Sequence, residues 1–192
     1  MLRSKLIDFI EPKLEDYDFE AMAFIYFDYT RQEAQTLPKV LASIASQLMN
    51  QVASIKDPIN ELYRQHKRGK TRPSGTQLLN LLADTIKSHN ILLVFDALDE
   101  ALDSTRHEVI SQLSNLDGKM LRLLLTSRPR LRLSGLAPSH RIVEIVADPS
   151  DLDVFIRAKL RHSPDALEVL GEDAEALTPS IVEAILARAA GM

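Results

Sequence analysis

The chain has 192 residues, 45% apolar, 26% charged and 5% aromatic, which excludes disorder and collagen-like repetition and allows one domain with a real core. Its 23 Lys and Arg against 27 Asp and Glu give a net charge of -4, which argues against generic binding of nucleic acid or anionic lipid. With no cysteine there are no disulfides, no thiol catalysis and no Cys-based zinc site, and the composition fits a reducing, cytoplasmic setting.

Leu2, Leu6, Phe9 and Ile10 form a helical stripe ending near Pro12. Residues 1–10 lack the continuous apolar stretch of a signal peptide, and no apolar run approaches the ~20 residues that span a bilayer, so no membrane role is expected. An acidic connector, Glu15 to Glu20, leads into Ala21 to Phe27, a run of strand formers. Thr36 stands where it can cap a helix carrying Leu37, Val40, Leu41, Ile44, Leu48 and Val52 at a period near 3.6. Asp57-Pro58 reads as the start of a further helix, which runs into an exposed basic loop from His66 to Gly75. Leu78, Leu79, Leu81, Leu82 and Ile86 make the next amphipathic helix. Ile91 to Phe95 is a strand apolar on both faces.

Val109, Ile110, Leu113 and Leu116 form another helix, stopped by Asp117-Gly118, and Leu121 to Thr126 is a further strand. Arg141 to Val146 reads as a shorter strand. Asp148-Pro149 then opens a helix through Leu152, Phe155, Ile156 and Leu160, and Ser163-Pro164 and Thr178-Pro179 repeat that start signal. Strands and helices alternate through residue 146 and only helices follow, so the expected class is α/β with a parallel sheet.

The chemistry gathers at strand ends. Asp96, Asp99 and Glu100 follow the apolar strand at its carboxyl end, the edge where open α/β sheets bind ligands. A Walker B strand has this design: Asp96 would serve Mg²⁺, and Asp99 or Glu100 would orient or deprotonate a water. The same residues also read as a strand end followed by solvated acids favouring a helix N-terminus. Arg128, after Leu121 to Thr126, could reach a γ-phosphate or could lie in water beside a Ser-Arg-Pro turn. Asp28 ends the first strand on the same edge, where Asp-Tyr-Thr is equally good turn chemistry. Gly69-Lys70-Thr71 is rejected as a phosphate loop, because G-x-x-x-x-G-K-[ST] needs glycine where Arg64 stands. The basic run 66–72 lacks aromatic interleaving and reads as a solvated loop, and the lone histidines, with no Ser or Cys partner that suggests a triad, read as structural.

Together these segments resemble the NACHT group of signal-transduction P-loop NTPases, of the STAND class, especially the fungal heterokaryon-incompatibility and nephrocystin-like types. Phe27-Asp28-Tyr29 with Arg31-Gln32 resembles the strand after the phosphate loop, and Asp96-Ala97-Leu98-Asp99-Glu100 the modified Walker B. Thr126-Ser127-Arg128-Pro129 resembles the sensor-1 strand, and the helix from Asp148 to Leu160 the one after the core. The resemblance implies a three-layer P-loop fold of strand order 5-1-4-3-2 with strand 1 missing. Residues 1–147 would be the nucleotide-binding core and 148–192 the start of a helical region.

It also implies Mg²⁺ and ATP or GTP as ligands, with Asp96 at the metal, Asp99 and Glu100 catalytic and Arg128 on the nucleotide. The implied partners are other NACHT chains or flanking effector and repeat domains. No Gly-rich Walker A occurs in the 192 residues, so Met1 is expected to follow that loop directly, and Arg188 to Met192 to lead onward into further helical sequence. Two functions follow: a nucleotide-driven switch core, or a non-catalytic interaction module.

Overall fold

The computed structural model describes residues 5–116, 121–128, 140–146 and 148–189. They fall into two compact units, one up to His140 and one from Arg141. In the first, helix α1 (Lys5–Ile10) gives way at Pro12 to 3₁₀ turns, and strand β1 (Ala21–Tyr26) follows. Helices α2 (Leu37–Met49), α3 (Ala53–Gly69) and α4 (Gly75–Ile86) separate β1 from β2 (Ile91–Asp96). Helix α5 (Asp103–Ser114) leads to β3 (Leu121–Leu125). The strands form a parallel sheet in the order β1-β2-β3, with Ala21 opposite Ile91 and Ile91 opposite Leu121. This is an α/β arrangement, as the alternation of elements requires.

The two-residue period of the strands decides which side chains face which layer. Ala21, Ala23, Ile25, Ile91, Leu93 and Phe95 join the buried faces of α2, α3, α4 and α5 in the main core. Met22, Leu92 and Val94 face the other way and are covered by Ile7 of α1, with Ile10, Leu14 and Phe19 around it. β2 is therefore apolar at every position until Asp96, the first residue to reach past both layers.

The outer edge of β1 is closed without a strand. The Gln47 amide accepts from Phe24 N at 3.0 Å and donates to Phe24 O at 2.8 Å. Gln51 does the same with Met22, at 2.9 and 2.7 Å, and Gln35 bridges Asp28 N and Tyr26 O, at 3.0 and 2.7 Å. Each carboxamide supplies the donor and acceptor that a neighbouring residue would have offered, which satisfies an edge otherwise open to pairing.

Several sequence expectations are corrected. Asp57-Pro58 does not start a helix: α3 begins at Ala53, with Pro58 its sixth residue. So early a proline removes one ladder bond, to Ser54 O, while the extra turn buries Ile55, an opposing gain of about 1.5–3 kcal/mol. The helix also continues through the basic residues to Gly69, so the loop is only 70–74, entered by Lys70 in the left-handed conformation. The next helix is fixed by a capping box between Ser74 and Gln77. Thr36 sits at the start of α2 as expected, but its side chain makes no capping bond. Val52 and Leu116, expected within helices, lie beyond the ends of α2 and α5. The expected stop at Asp117-Gly118 lies outside the described residues.

In the second unit, α6 (Pro149–His162) starts at the Asp148 cap, and α7 (Pro164–Leu170) starts after Ser163. Thr178-Pro179 is no start, since Pro179 is the sixth residue of α8 (Ala174–Ala189) and the Thr178 hydroxyl donates to Ala174 O at 2.6 Å. The strand expected at 141–146 is not formed: Ile142, Val143, Ile145 and Val146 are exposed and pair with nothing in the described sheet. A strand is stabilised by its ladder and cross-strand contacts, and these residues have neither. Among the described residues no helix is long and apolar enough to cross a membrane.

Candidate functional site

At the carboxyl edge of the sheet β2 and β3 end side by side, because Thr126 N continues the ladder by donating to Phe95 O at 2.9 Å. The Thr126 hydroxyl then donates to Asp96 Oδ1 and accepts from Ala97 N at 3.0 Å. Ala97 takes a left-handed conformation, φ 55° and ψ 47°, which costs a non-glycine residue roughly 1–2 kcal/mol. That turn sends the chain into a short 3₁₀ segment, Leu98–Glu100, whose first amide donates to Thr126 O at 2.9 Å. Asp99 is thereby brought over the end of β3, where Arg128 N donates to its Oδ1 at 3.2 Å and Arg128 Nε lies 3.3 Å from its Oδ2. The same guanidinium lies 3.9 Å from Glu100 Oε1.

Glu100 also ties in the segment after β1. Its Oε2 accepts from Tyr29 N at 3.3 Å, and its carbonyl accepts from Gln32 Nε2 at 2.7 Å. All four residues singled out from sequence, Asp96, Asp99, Glu100 and Arg128, thus share one edge with the end of β1. Asp28 acts there as a turn residue: its Oδ1 accepts from the Thr30 hydroxyl at 2.6 Å and the Thr30 amide at 2.9 Å, and both bonds hold its carboxyl below the usual range.

Three contributors were given no site role from sequence. Tyr29 and Gln32 figure there in the resemblance, and the fold brings them to Glu100. Buried Arg106 braces the turn from one helical turn away, through Asp103 at 2.6 Å and Ala101 O at 3.5 Å. Its spacing from Asp103, i to i+3 at a helix start, is the one readable hint.

The donor set bears on the implied cation. Among the described residues no group of three or more His, Asp or Glu is placed to hold a metal. One carboxylate, Asp96, with a hydroxyl beside it suits Mg²⁺, which keeps several waters and takes its other ligands from phosphate. It does not suit a cation caged by protein alone. An open depression of about 600 Å³ lies elsewhere, lined by Asp57, Asn60, Tyr63, Arg64, Lys67 and Arg72 on α3 and its loop.

The family described as Nephrocystin 3, N-terminal, matches residues 1–128. The chain belongs to that family. Neither a curated protein nor a solved structure matches it. The matched region contains every element of the described sheet and ends on Arg128, so the edge just described lies wholly within the nephrocystin-3 N-terminal match.

The reading of the histidines as isolated is corrected at the opposite edge. His89 stands between Ser54 and Glu20, 2.8 Å from each.

Proposed function

We propose that this nephrocystin-3 N-terminal chain supplies the metal and sensor side of a NACHT-type, nucleotide-dependent signalling switch. In it Asp96 would hold Mg²⁺, which would neutralise charge on the phosphates, Asp99 or Glu100 would orient the attacking water, and Arg128 would report the γ-phosphate of ATP or GTP. The supporting observation is that two strand ends about 30 residues apart in sequence are locked together by Thr126 on Asp96 and Arg128 on Asp99. The strand order β1-β2-β3 is also the one the resemblance predicts for the second, third and fourth strands of a 5-1-4-3-2 sheet. Arg128 is 78% exposed, so its bonds to Asp99 and Glu100 are weak, on the order of 1 kcal/mol or less. A phosphate could therefore compete for the guanidinium and free the two carboxylates together.

A non-catalytic interaction module is the second reading, supported by the occupied state of both carboxylates and by the absence of G-x-x-x-x-G-K-[ST] from the sequence. That loop's amides and lysine provide most β- and γ-phosphate contacts in P-loop enzymes. Residues 1–192 should accordingly show no turnover of ATP or GTP in a phosphate-release assay. With a strand and phosphate loop joined ahead of residue 1, Asp96→Asn should weaken Mg²⁺-dependent binding of labelled nucleotide. Asp99→Asn or Glu100→Gln should spare binding and slow hydrolysis, and Arg128→Ala should blunt discrimination between triphosphate and diphosphate. Four variants that behave like their parent would remove the proposed site. Partners of the switch would be other NACHT chains or attached effector and repeat domains.

A further inference from the structure

Glu20 and Asn90 immediately precede β1 and β2, and Ser54 lies in the first turn of α3. These residues meet at the amino-terminal ends of the strands, the end of the sheet opposite Asp96. The Ser54 hydroxyl is 2.8 Å from His89 Nε2, and His89 Nδ1 is 2.8 Å from Glu20 Oε2. The second carboxylate oxygen, Oε1, accepts from Asn90 N at 3.1 Å, so Glu20 is held at both oxygens. Its carboxyl is kept below the usual range, first by the bond to His89 and then by the Asn90 amide.

The partners dictate the tautomer. An ionised carboxylate only accepts, so the neutral ring must carry its proton on Nδ1, which leaves the Nε2 lone pair for the Ser54 hydroxyl. A serine hydroxyl donating to an imidazole that is itself oriented by a carboxylate is the arrangement that activates serine as a nucleophile. Ser54 is exposed, and the His89 side chain is largely covered, at 21% exposure. The residue before α3, Val52, offers no side-chain cap, so the first-turn amides of this 17-residue helix, Ala53 and Ser54 among them, have no side-chain acceptor there among the described residues. They are donors adjacent to the nucleophile, of the kind that can receive a developing oxyanion.

We propose that Ser54, His89 and Glu20 form an acyl-transfer site for small, activated carboxylic esters, independent of the nucleotide reading. Ser54 Oγ attacks the ester carbonyl carbon as its proton passes to His89 Nε2, and the oxyanion forms near the first-turn amides. The carbon–oxygen bond to the alcohol then breaks, and the alcohol leaves with the proton from Nε2. Water attacks the acyl-Ser54 ester, again losing a proton to Nε2. The acid departs and Ser54 regains its hydrogen. Ser54 and His89 are the catalytic residues, and Glu20 is a positioning residue that fixes the ring and stabilises its cation.

The test is p-nitrophenyl acetate with the full 192-residue chain, followed by p-nitrophenolate release and by peptide mass spectrometry. The expected result is acetylation at Ser54 and hydrolysis that falls about 10²-fold in both Ser54→Ala and His89→Gln. Far-UV circular dichroism should show the parent fold in each variant. Glu20→Gln should retain acetylation and lower kcat with little change in KM, because the ring is no longer held by a carboxylate. Acetylation confined to lysine or tyrosine, or release that is unchanged in Ser54→Ala, would overturn the proposal. So would variants that lose thermal stability without losing ester hydrolysis, since the three residues would then be only a clip between loops.

Discussion

Replacing Gln47 and Gln51 with leucine asks how much of the fold depends on the closed edge of β1. Leucine matches glutamine in helix propensity and approximately in size, so α2 keeps its length and its cover over the core. What disappears at the strand is four hydrogen bonds, two at Phe24 and two at Met22, all between 2.7 and 3.0 Å, together with the carboxamides' longer local bonds to Ser43 Oγ at 3.3 Å and Gln47 O at 3.1 Å. A neutral hydrogen bond contributes a net of about 1 kcal/mol, and the strand amides left behind at this part-buried edge are only partly recovered by water. Each glutamine is therefore worth about 1–2 kcal/mol and the pair about 2–4 kcal/mol, a large share of the 5–15 kcal/mol typical of a domain.

Urea melts of the single and double variants give the energies, and amide hydrogen exchange at Met22 and Phe24 gives the site-resolved readout. Exchange there should accelerate, and the double variant should also self-associate in size-exclusion chromatography as the bared edge pairs with a second copy. Lys39→Leu, at an exposed position of the same helix, controls for added apolar surface alone. A double variant within about 0.5 kcal/mol of the parent, with unchanged exchange at both amides, would show that the glutamines follow the strand and do not hold it.

Two further outcomes follow from local geometry. Ala97→Gly should stabilise the chain by up to about 1 kcal/mol in thermal melts, because glycine enters the left-handed region without the Cβ penalty; a loss of 1 kcal/mol or more would contradict the strain assigned there. Glu20, Asp28 and Asp148 all have carboxyls held below their ordinary range, Glu20 chiefly by His89 and the other two chiefly by the hydroxyl two residues on. A depressed folded-state pKa gives stability that is complete above the unfolded value, near pH 4, and is lost as pH falls through the lower folded value. Chemical denaturation between pH 5 and 2 should show stability declining with acid, with a smaller decline in Asp148→Asn, and a rise over that window would refute the assignment.

The sheet and the acid cluster were legible because each depended on a pattern contained in one segment. An apolar run ending in Asp96 can only be a covered strand reaching an edge, and parallel neighbours carry their polar ends to that same edge, which is why Arg128 arrives beside Asp99. The edge glutamines had no such signal: Gln47 on α2 and Gln51 two residues past its end, at an i, i+4 spacing, read as an ordinary polar face, and their pairing with β1 depends on how that helix is seated. Ser54, His89 and Glu20 are separated by 34 residues or more and meet only because two loops and a helix start share one end of the sheet. Pro58 and Pro179 misled for a different reason. A proline early in a helix looks like a first residue, and only the burial of Ile55 tells that α3 has already begun.

Residues 141–146 set a sequence pattern against a structure. Arg-Ile-Val-Glu-Ile-Val is rich in strand formers, yet Ile142 is 80% and Ile145 89% exposed. The two descriptions differ by a measurable free energy at Ile145. If the segment were a strand packed in a sheet, Ile145→Asp would place an unpaired charge in an apolar layer and cost at least 3–4 kcal/mol. With the side chain in solvent, the same change should fall within about 0.5 kcal/mol. It should even lessen self-association, because four exposed β-branched residues in a six-residue stretch favour pairing with another copy and a second acidic charge beside Glu144 opposes it. Urea melts and sedimentation of the parent and Ile145→Asp separate the cases. A loss of 3 kcal/mol or more would mean that the segment is buried against a neighbouring strand in solution.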